Sequence, residues 1–327
     1  MSEIQRVAII GCGTIGASWA ALFLAHGLTV TAFDINPAAE ATMRSLVRDA
    51  LPVLTRLGQT KKADAKAEDV IFTTDLAEAL KGAQLVQENG PERLDFKREL
   101  LNSMTKHISS ETIIATSSSG LTCSSIQEGM DAAAKPERCV VGHPFNPPHL
   151  IPLVEVVGGA QTSEDTVRRM MAFYTSIGKK AVHVQKEVVG HIANRLQGAI
   201  MREALYLLQE GVCGVADIDD AVSNGPGLRW GVMGPSTLFH LGGGPGGVQH
   251  MADHLLGPLM SWYAPRDPVV DDELKQKWVD GTLAMVGDRS FQDLSRQRDE
   301  ELIRLLNVRK EWDGYAQEQQ QQQQQKQ

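Results

Sequence analysis

The 327-residue sequence predicts an α/β fold with a doubly wound, mostly parallel sheet, followed by an all-helical C-terminal domain. Three observations lead to this prediction. Short apolar runs alternate with helix-length amphipathic segments through the first half, which is the pattern of stacked βαβ units. A glycine-rich turn directly follows the first apolar run. Beyond about Val189 no run is typical of a strand, and long amphipathic segments indicate helices instead.

The elements can be assigned in order along the chain. Each predicted strand is a short apolar run bounded by turn residues, and the segments between them place apolar residues three and four apart, as on one face of a helix. Gly27 and Gly178 are typical of helix ends. Strands are predicted at 7–10, 28–33, 70–73, 85–87, 112–116, 139–142, 153–157 and 181–184, and the clearest helices at 15–26, 96–107, 192–210 and 271–285.

The change of character after the last predicted strand marks a domain boundary. We predict a sheet domain at 1–187 and an all-helical domain at 188–315. Residues 316–327 are almost all Gln, and such a segment buries too little apolar surface to offset the entropy of ordering it. This tail is therefore predicted to be disordered.

Composition and charge exclude several classes of protein. The chain has 32 Lys and Arg against 40 Asp and Glu, and its net charge of −8 disfavours nucleic acid and anionic membranes as partners. No apolar run reaches the ~18 residues of a membrane helix and no cleavable signal is evident, so we expect a cytoplasmic protein. The cysteines are far apart in the sequence and predict neither a metal site nor a disulfide framework: Cys12, Cys123, Cys139 and Cys213.

The turn after the first predicted strand has the spacing of a dinucleotide fingerprint. A strand precedes it and a helix follows it, as the motif requires. Gly11 allows a tight turn, Gly13 lets backbone approach a pyrophosphate, and Gly16 lets helix and strand pack closely. The unpaired N–H groups at the helix N-terminus favour the negative charge of the pyrophosphate. The candidate cofactor contacts in this turn are Gly11, Gly13, Thr14, Ile15 and Gly16.

Asp34 ends the second predicted strand, close to the ~20-residue offset expected of an acid that binds the ribose. Its carboxylate can accept hydrogen bonds from the ribose hydroxyls but would repel a 2′-phosphate, and no Arg follows in residues 35–37 to neutralise one. The sequence therefore predicts a Rossmann-type domain that binds NAD. The alternative is a glycine-rich turn in a parallel-sheet protein that binds no dinucleotide.

His143 directly follows the strand predicted at 139–142, so its side chain is expected at the carboxyl edge of the sheet, where such folds bind ligands. Glu155 lies in an otherwise apolar strand, and a carboxylate is costly to bury there unless it is paired. We therefore predict that Glu155 faces His143, fixes its tautomer and stabilises the imidazolium ion when the ring takes up a proton. The alternative is a structural histidine and a glutamate that meets solvent.

Two further polar residues are candidates for the same cleft. Ser119 lies beyond the strand predicted at 112–116, where its hydroxyl could bind a substrate oxygen or simply cap a helix. Asn194 lies at the start of the helical half, where its amide could donate to a substrate oxygen or satisfy helix packing. The residues alone leave both alternatives open.

Together, these motifs resemble the 3-hydroxyacyl-CoA dehydrogenase superfamily over about residues 6–310. The resemblance rests on the glycine turn, Asp34, Ser119, the segment His143-Pro144-Phe145-Asn146-Pro147, Glu155 and Asn194-Arg195. Within the superfamily, four segments make the chain most similar to the lambda-crystallin or L-gulonate 3-dehydrogenase branch: Gly16-Ala17-Ser18-Trp19-Ala20, Asn146-Pro147-Pro148, Val184-Gln185-Lys186-Glu187-Val188 and Arg298-Asp299-Glu300-Glu301-Leu302.

The resemblance implies roles that the residues alone do not establish. Near the cofactor it places Glu92, Lys97 and Asn146, whereas the charge pattern alone makes Glu92 and Lys97 typical of solvated helix charges. It also agrees with a homodimer contact in the helical domain, which is expected because amphipathic helices of this length usually bury a second apolar face. The catalytic residues it implies are the base His143, its partner Glu155, and Ser119 and Asn194 at the reacting oxygen.

The expected substrate is a small free L-3-hydroxy acid such as L-gulonate, which NAD would oxidise to the 3-keto acid. Arg229 lies in the helical domain at a point where the acyl-CoA enzymes, as the family pattern goes, carry no such cation. The forked donors of an Arg side chain suit a free carboxylate. Arg229 is therefore a candidate for binding the substrate carboxylate, and the alternative is a surface or interface arginine.

Two rival functions stay open. The first is the same chemistry on L-carnitine or on a 3-hydroxyacyl-CoA. L-Carnitine carries a quaternary ammonium group, which an aromatic cage would favour; the available aromatic residues are Trp230, Phe239, Trp262 and Tyr263. The second rival is a structural, crystallin-like protein, because fold does not determine function. The complete set of candidate catalytic residues argues against a structural protein, because a structural role would not require these residues.

Overall fold

The computed structural model describes residues 4–131 and 134–324, with side chains described as far as Trp312. The chain divides into two compact units, Met1–Arg195 and Leu196–Gln327, which we call unit 1 and unit 2. The boundary predicted at residue 187 falls before this division. The reason is that Ile192 and Asn194, beyond the last strand, still form hydrogen bonds with Glu155 and Ser119 of unit 1.

Eight strands form in unit 1, and each coincides with a predicted one: β1 (Arg6–Ile10), β2 (Thr29–Phe33), β3 (Ile71–Thr73), β4 (Leu85–Glu88), β5 (Ile113–Thr116), β6 (Cys139–Pro144), β7 (Leu153–Gly158) and β8 (Lys180–Val184). They form one sheet in the order β3-β2-β1-β4-β5-β6-β7-β8. Strands β1 to β6 pair in parallel, β7 is antiparallel to β6, and β8 is parallel to β7. The sheet confirms the predicted, mostly parallel α/β fold.

The central strands of this sheet are buried on both faces, which explains why β1, β5 and the first half of β6 are mostly apolar. The edge strands β3 and β8 are partly exposed. Val7 and Ile9 belong to one hydrophobic core, whereas Ala8 and Ile10 belong to another. Alternate residues of a strand point to opposite faces, so the two cores lie on opposite sides of the sheet. The helices that cover the two faces are α1 (Thr14–Ala25), α2 (Ala39–Arg56), α3 (Leu76–Leu80), α4 (Leu94–Thr105), α5 (Cys123–Gln127) and α6 (Glu164–Ser176).

Aromatic packing anchors α1, the helix that follows the glycine turn. The ring of Trp19 stacks on Phe23 of the same helix and on Tyr174 of α6, with centroids 5.3 and 5.4 Å apart. Trp19 and Tyr174 are fully buried. Such contacts add about 0.5–1.5 kcal/mol each beyond the area that they bury, so this packing fixes the middle of α1 against α6.

Unit 2 is helical, and among its described residues no strand occurs. This confirms the predicted all-helical C-terminal domain. Within the described residues, no helix combines the length and apolar character needed to cross a membrane. Helix α7 (Ala193–Gln209) leads into unit 2, and the others are α8 (Val215–Asn224), α9 (Pro226–Trp230), α10 (Pro235–Gly242), α11 (Gly247–His254), α12 (Leu256–Leu259), α13 (Asp272–Val286) and α14 (Phe291–Gln324).

Helix α14 continues to Gln324 and so covers part of the segment that the composition predicts to be a disordered tail. Gln is a good helix former, so a Gln-rich segment can extend a helix that has already begun. The remainder of the predicted tail, residues 325–327, lies outside the described residues.

Candidate active site

The glycine turn joins β1 to α1, and its geometry fits the fingerprint. Gly11 has a left-handed backbone with φ +93°, which glycine adopts without strain. A Cβ on Gly16 would lie 1.9 Å from the carbonyl oxygen of Gly11, so only glycine allows this close approach. A Cβ on Gly13 would meet nothing within 4 Å. Gly13 is the N-cap residue of α1, so open space adjoins the N–H groups of the first helical turn, which includes Thr14 and Ile15.

Asp34 follows β2 and lies beside the glycine turn. Its Oδ2 accepts a hydrogen bond from the N–H of Cys12 at 3.0 Å, and its Oδ1 accepts one from the N–H of Asn36 at 3.0 Å. These bonds hold the carboxylate next to the backbone that approaches the cofactor in dinucleotide-binding folds. An open helix N-terminus suits a pyrophosphate and an adjoining carboxylate suits a ribose, so the residues present fit NAD.

His143 and Glu155 are direct neighbours across the sheet. They are paired in the antiparallel register of β6 and β7, and Nδ1 of His143 lies 2.8 Å from Oε2 of Glu155. Both residues are buried, with exposed fractions of 5% and 1%. Because a carboxylate can only accept, Nδ1 carries the proton and Nε2 is left as the basic atom. The structure therefore brings together the pair that the sequence predicts.

The second oxygen of Glu155 binds the start of α7. Oε1 accepts hydrogen bonds from the N–H groups of Ile192 at 2.8 Å and of Ala193 at 3.0 Å. Burial acts to raise the pKa of Glu155, but the hydrogen bonds from His143 and from these two N–H groups outweigh it, so the pKa is lowered. Glu155 is therefore ionised at neutral pH and can stabilise a positive charge on His143.

Ser119 and Asn194 are brought together at the loop that follows β5. Nδ2 of Asn194 donates to the carbonyl oxygen of Ser119 at 3.4 Å. Ser119 does not cap α5, because the N-cap residue is Thr122, whose hydroxyl accepts from the N–H of Ser125. Ser119 is exposed and Asn194 is half-buried, so both polar side chains can reach a ligand.

Glu92 organises the loop that carries Ser119. Burial acts to raise the pKa of Glu92, whereas hydrogen bonds from this loop and the charge of Lys97 lower it, and the lowering prevails. The side chain of Glu92 is 39% exposed. Its Oε1 accepts four hydrogen bonds, from Oγ of Ser118 at 2.7 Å and from the N–H groups of Ser119 at 2.9 Å, Gly120 at 2.7 Å and Leu121 at 3.2 Å.

Lys97 is part of a buried ion pair, so the interpretation as a solvated helix charge is wrong. Its side chain is 1% exposed, and Nζ lies 2.9 and 3.0 Å from the two carboxylate oxygens of Glu88, the last residue of β4. Oγ1 of Thr116 also donates to Glu88, at 2.6 Å. Glu88 is not among the residues predicted from the sequence, although a carboxylate at the end of an apolar run is the same kind of signal that identifies Glu155.

His191 is a second residue that the sequence analysis missed. It is 1% exposed, and its ring centroid lies 5.0 Å from that of His143. No motif marks this position, because the ring is placed by a turn in which Gly190 and His191 have φ values of +77° and +51°.

The remaining predicted site residues are exposed. Asn146 lies two residues beyond the end of β6, in the loop that follows this strand. Arg229 lies on α9 of unit 2. The four candidate cage residues also belong to unit 2 and are exposed, namely Trp230, Phe239, Trp262 and Tyr263.

Two protein-family models together match most of the chain. The model described as 3-hydroxyacyl-CoA dehydrogenase, NAD binding domain, matches residues 6–188, and the one described as 3-hydroxyacyl-CoA dehydrogenase, C-terminal domain, matches residues 190–280. The chain is 44% identical to an L-carnitine dehydrogenase of Streptomyces griseus, over 94% of this chain and 90% of the relative. It is 45% identical to an L-carnitine dehydrogenase of Streptomyces coelicolor, over 94% and 95% of the two chains.

Two solved structures of dehydrogenases are also similar to this chain. A 5-formyl-3-hydroxy-2-methylpyridine 4-carboxylic acid 5-dehydrogenase, an NAD⁺-dependent dismutase, is 32% identical with a TM-score of 0.80 over 95% of this chain and 99% of that one. An (S)-3-hydroxybutyryl-CoA dehydrogenase from Ralstonia eutropha is 27% identical with a TM-score of 0.61 over 73% and 82% of the chains. The chain belongs to the 3-hydroxyacyl-CoA dehydrogenase family and is an NAD-dependent dehydrogenase that acts on a 3-hydroxyl group.

Proposed function

We propose that this chain oxidises the 3-hydroxyl of L-carnitine to the 3-keto acid with NAD. The names of the relatives favour L-carnitine, the rival substrate that the sequence leaves open, and do not support L-gulonate or the lambda-crystallin branch. A purely structural role is disfavoured, because the chain belongs to a family of dehydrogenases. The observation that carries the chemistry is the buried pair of His143 and Glu155, joined at 2.8 Å.

In this proposal, His143 is the catalytic base. Its Nδ1–H is held by Glu155, so Nε2 accepts the proton of the substrate hydroxyl. The ionised carboxylate of Glu155 offsets the positive charge that then develops on the ring. The hydroxyl of Ser119 and the amide of Asn194 bind the reacting oxygen. Bound NAD supplies the acceptor for the hydride that leaves the substrate carbon.

The proposed cofactor contacts act in two ways. The turn at Gly11, Gly13, Thr14, Ile15 and Gly16 receives the pyrophosphate, Asp34 binds the ribose, and Asn146 contacts the cofactor from the loop after β6. Glu92 and Lys97 act indirectly. Glu92 holds the backbone of residues 118–121, and Lys97 is too deeply buried to bind a ligand freely.

Recognition of L-carnitine requires a cation for its carboxylate and an apolar, electron-rich surface for its trimethylammonium group. We propose Arg229 for the carboxylate. An Arg→Met change removes a charge-assisted hydrogen bond, so Arg229→Met should raise KM for L-carnitine about 10- to 100-fold and change KM for NAD much less. Arg266→Met, at another exposed arginine of unit 2, is the control. Equal effects on both KM values would remove Arg229 from substrate binding.

The experiment that tests the function is NADH formation with a panel of substrates. The panel contains L-carnitine, L-gulonate, L-3-hydroxybutyrate, L-3-hydroxybutyryl-CoA and the substituted pyridine substrate of the structural relative, with NAD and NADP compared. We expect the highest kcat/KM with L-carnitine and NAD. A higher kcat/KM with any other member of the panel would contradict the proposal.

We also propose that the enzyme is a homodimer. Unit 2 exposes many large apolar side chains, including Leu241, Leu256, Trp262, Leu283 and Trp312, each more than half exposed. Such a surface is typical of a chain that buries a second face against a copy of itself. Light scattering should give about twice the chain mass of 35.6 kDa, and a monomer at micromolar concentration would contradict the dimer.

A further inference from the structure

His191 carries a buried hydrogen-bonding atom that the proposed mechanism does not use. The residue is 1% exposed and lies against His143, with ring centroids 5.0 Å apart and planes inclined by 46°. Its Nε2 lies 3.2 Å from the carbonyl oxygen of Ser118. A carbonyl can only accept, so Nε2 carries a proton.

The second ring nitrogen of His191 is a hydrogen-bond acceptor without a protein partner. Burial is the main effect that lowers the pKa of His191, and the neighbouring His143 lowers it further, so the ring is neutral and Nδ1 bears a lone pair. Across residues 4–131 and 134–324, no protein group forms a hydrogen bond with this Nδ1. A buried polar atom without a hydrogen-bond partner destabilises the folded state, and such atoms are rare in folded proteins, so this one requires an explanation.

The backbone at His191 adds a second cost at the same residue. Its φ of +51° is left-handed, a conformation that is unfavourable for a residue with a Cβ. Together with Gly190, this turn directs the N–H groups of Ile192 and Ala193 to Glu155. A glycine at residue 191 would form the turn without strain. The strained residue is therefore best explained by what its side chain does beside His143.

The chemistry of the reaction limits which ligand group can satisfy Nδ1. The single hydroxyl proton of the substrate goes to His143, and neither its carboxylate nor its trimethylammonium group has an N–H or O–H to donate. NAD, in contrast, has a carboxamide on the nicotinamide carbon next to the one that accepts hydride, so an N–H donor belongs at the reacting end of the cofactor. We propose that Nδ1 of His191 accepts a hydrogen bond from the nicotinamide carboxamide and thereby positions the ring next to His143.

This inference rests on the proposed function, in which His143 takes the substrate proton. The contact between His191 and the cofactor is tested by measuring cofactor binding without substrate. The probes are NADH and its reduced 3-acetylpyridine analogue, in which a methyl group replaces the carboxamide NH₂. Each is titrated by fluorescence into the wild type, His191→Gln and His191→Asn. The amide of Gln can still donate to Ser118 but offers no acceptor at the Nδ1 position. Asn offers an oxygen near that position and tolerates a left-handed backbone.

The expected result concerns the preference for NADH over the analogue, measured as a ratio of Kd values. One hydrogen bond of this kind should contribute about 3- to 10-fold to that ratio. We expect His191→Gln to lower the ratio by this factor and His191→Asn to retain most of it. An unchanged ratio in His191→Gln would overturn the proposal, because contacts of the carboxamide with other residues are common to both proteins.

A measurement on the wild type covers the case in which a variant does not fold. With ¹⁵N-labelled histidine, the Nδ1 resonance of His191 should shift toward the hydrogen-bonded position when NADH binds and should not do so with the analogue. An equal response to both cofactors would also overturn the proposal. Neither experiment uses substrate, so a failure of the L-carnitine proposal would appear separately, as absent turnover with an intact cofactor preference.

Discussion

Glu155 and Glu88 are two buried carboxylates of the same sheet, and they differ in the side chain with which each is paired. Glu155 is 1% exposed on β7 and binds His143 and the N–H groups at the start of α7. Glu88 is fully buried at the end of β4 and binds Lys97, Thr116 and the N–H of Gly90. Each carboxylate has one side-chain partner that can be cationic and at least one backbone donor.

The difference lies in the partner. A histidine can take up and release a proton near neutral pH, so the pair of Glu155 with His143 is suited to acid–base chemistry. Nζ of Lys97 instead contacts both carboxylate oxygens of Glu88 in a buried ion pair, and this geometry is suited to holding structure. The second pair lies close to Glu92, because Nζ of Lys97 is also 3.7 Å from Oε2 of Glu92. In the proposed mechanism, Glu155 therefore serves the reaction, whereas Glu88 supports the loop that carries Ser119.

The largest effect should come from removing the base. His143→Ala should lower kcat by about 10²- to 10⁴-fold, because a single general base contributes that range. NADH affinity should change little. Steady-state kinetics and fluorescence titration measure the two quantities, and His107→Ala at an exposed histidine is the control. Near-normal turnover in His143→Ala would show that His143 is not the catalytic base.

Glu155→Gln should be nearly as damaging although it is almost isosteric. The N–H groups of Ile192 and Ala193 require an oxygen at the Oε1 position, so the amide nitrogen must face His143. A donor facing Nδ1 puts the ring proton on Nε2 and blocks the base, which predicts a loss of about 10³-fold in kcat. Glu164→Gln, at the exposed start of α6, is the matched control. Activity within tenfold of the wild type would mean that Glu155 does not set the tautomer.

Lys97→Met should act on stability and much less on catalysis. The change leaves Glu88 buried without its cation, which costs at least about 3 kcal/mol of unfolding free energy. Urea denaturation measures this loss, and kcat of the folded variant should stay within about tenfold of the wild type. The control is Arg93→Met, at an exposed ion pair with Asp95, which should cost less than about 1 kcal/mol. A large loss of kcat without a loss of stability would give Lys97 a direct role.

The smallest effect is the pH dependence of the Glu155 contribution. Its folded-state pKa is lowered, so its ionised form stabilises the protein above the unfolded-state value of about 4.3. This contribution is lost as pH falls through the lower, folded-state value. The stability difference between wild type and Glu155→Gln, measured by denaturant titration, should therefore shrink as the pH falls below about 4.3. If the stability difference instead grew on acidification, the pKa of Glu155 would be raised on folding and not lowered.

Much of unit 1 could be predicted because its signals are local. Each strand contains adjacent apolar residues, and the glycine turn and Asp34 are close enough in the chain to be recognised together. His143 and Glu155 could be paired because the burial of a carboxylate in an apolar strand requires a partner. Glu88 carries the same signal, but it has a lysine partner that the charge pattern makes typical of a solvated helix face.

Substrate choice could not be predicted from the residues alone. The departure at Arg229 indicates a free carboxylate, and L-gulonate and L-carnitine both have one. What separates them is a quaternary ammonium group, whose recognition depends on how aromatic side chains are grouped in space. The relatives were needed to favour L-carnitine.

Local sequence was sufficient for the fold class, the dinucleotide fingerprint and the pairing of His143 with Glu155, because each depends on periodicity, short spacing or one costly burial. Long-range packing placed His191, Lys97 and Glu92, because their partners come from other elements and their chemistry depends on burial. Nδ1 of His191 is the clearest case. It becomes a buried acceptor beside His143 only when the turn at Gly190, the loop at Ser118 and strand β6 come together.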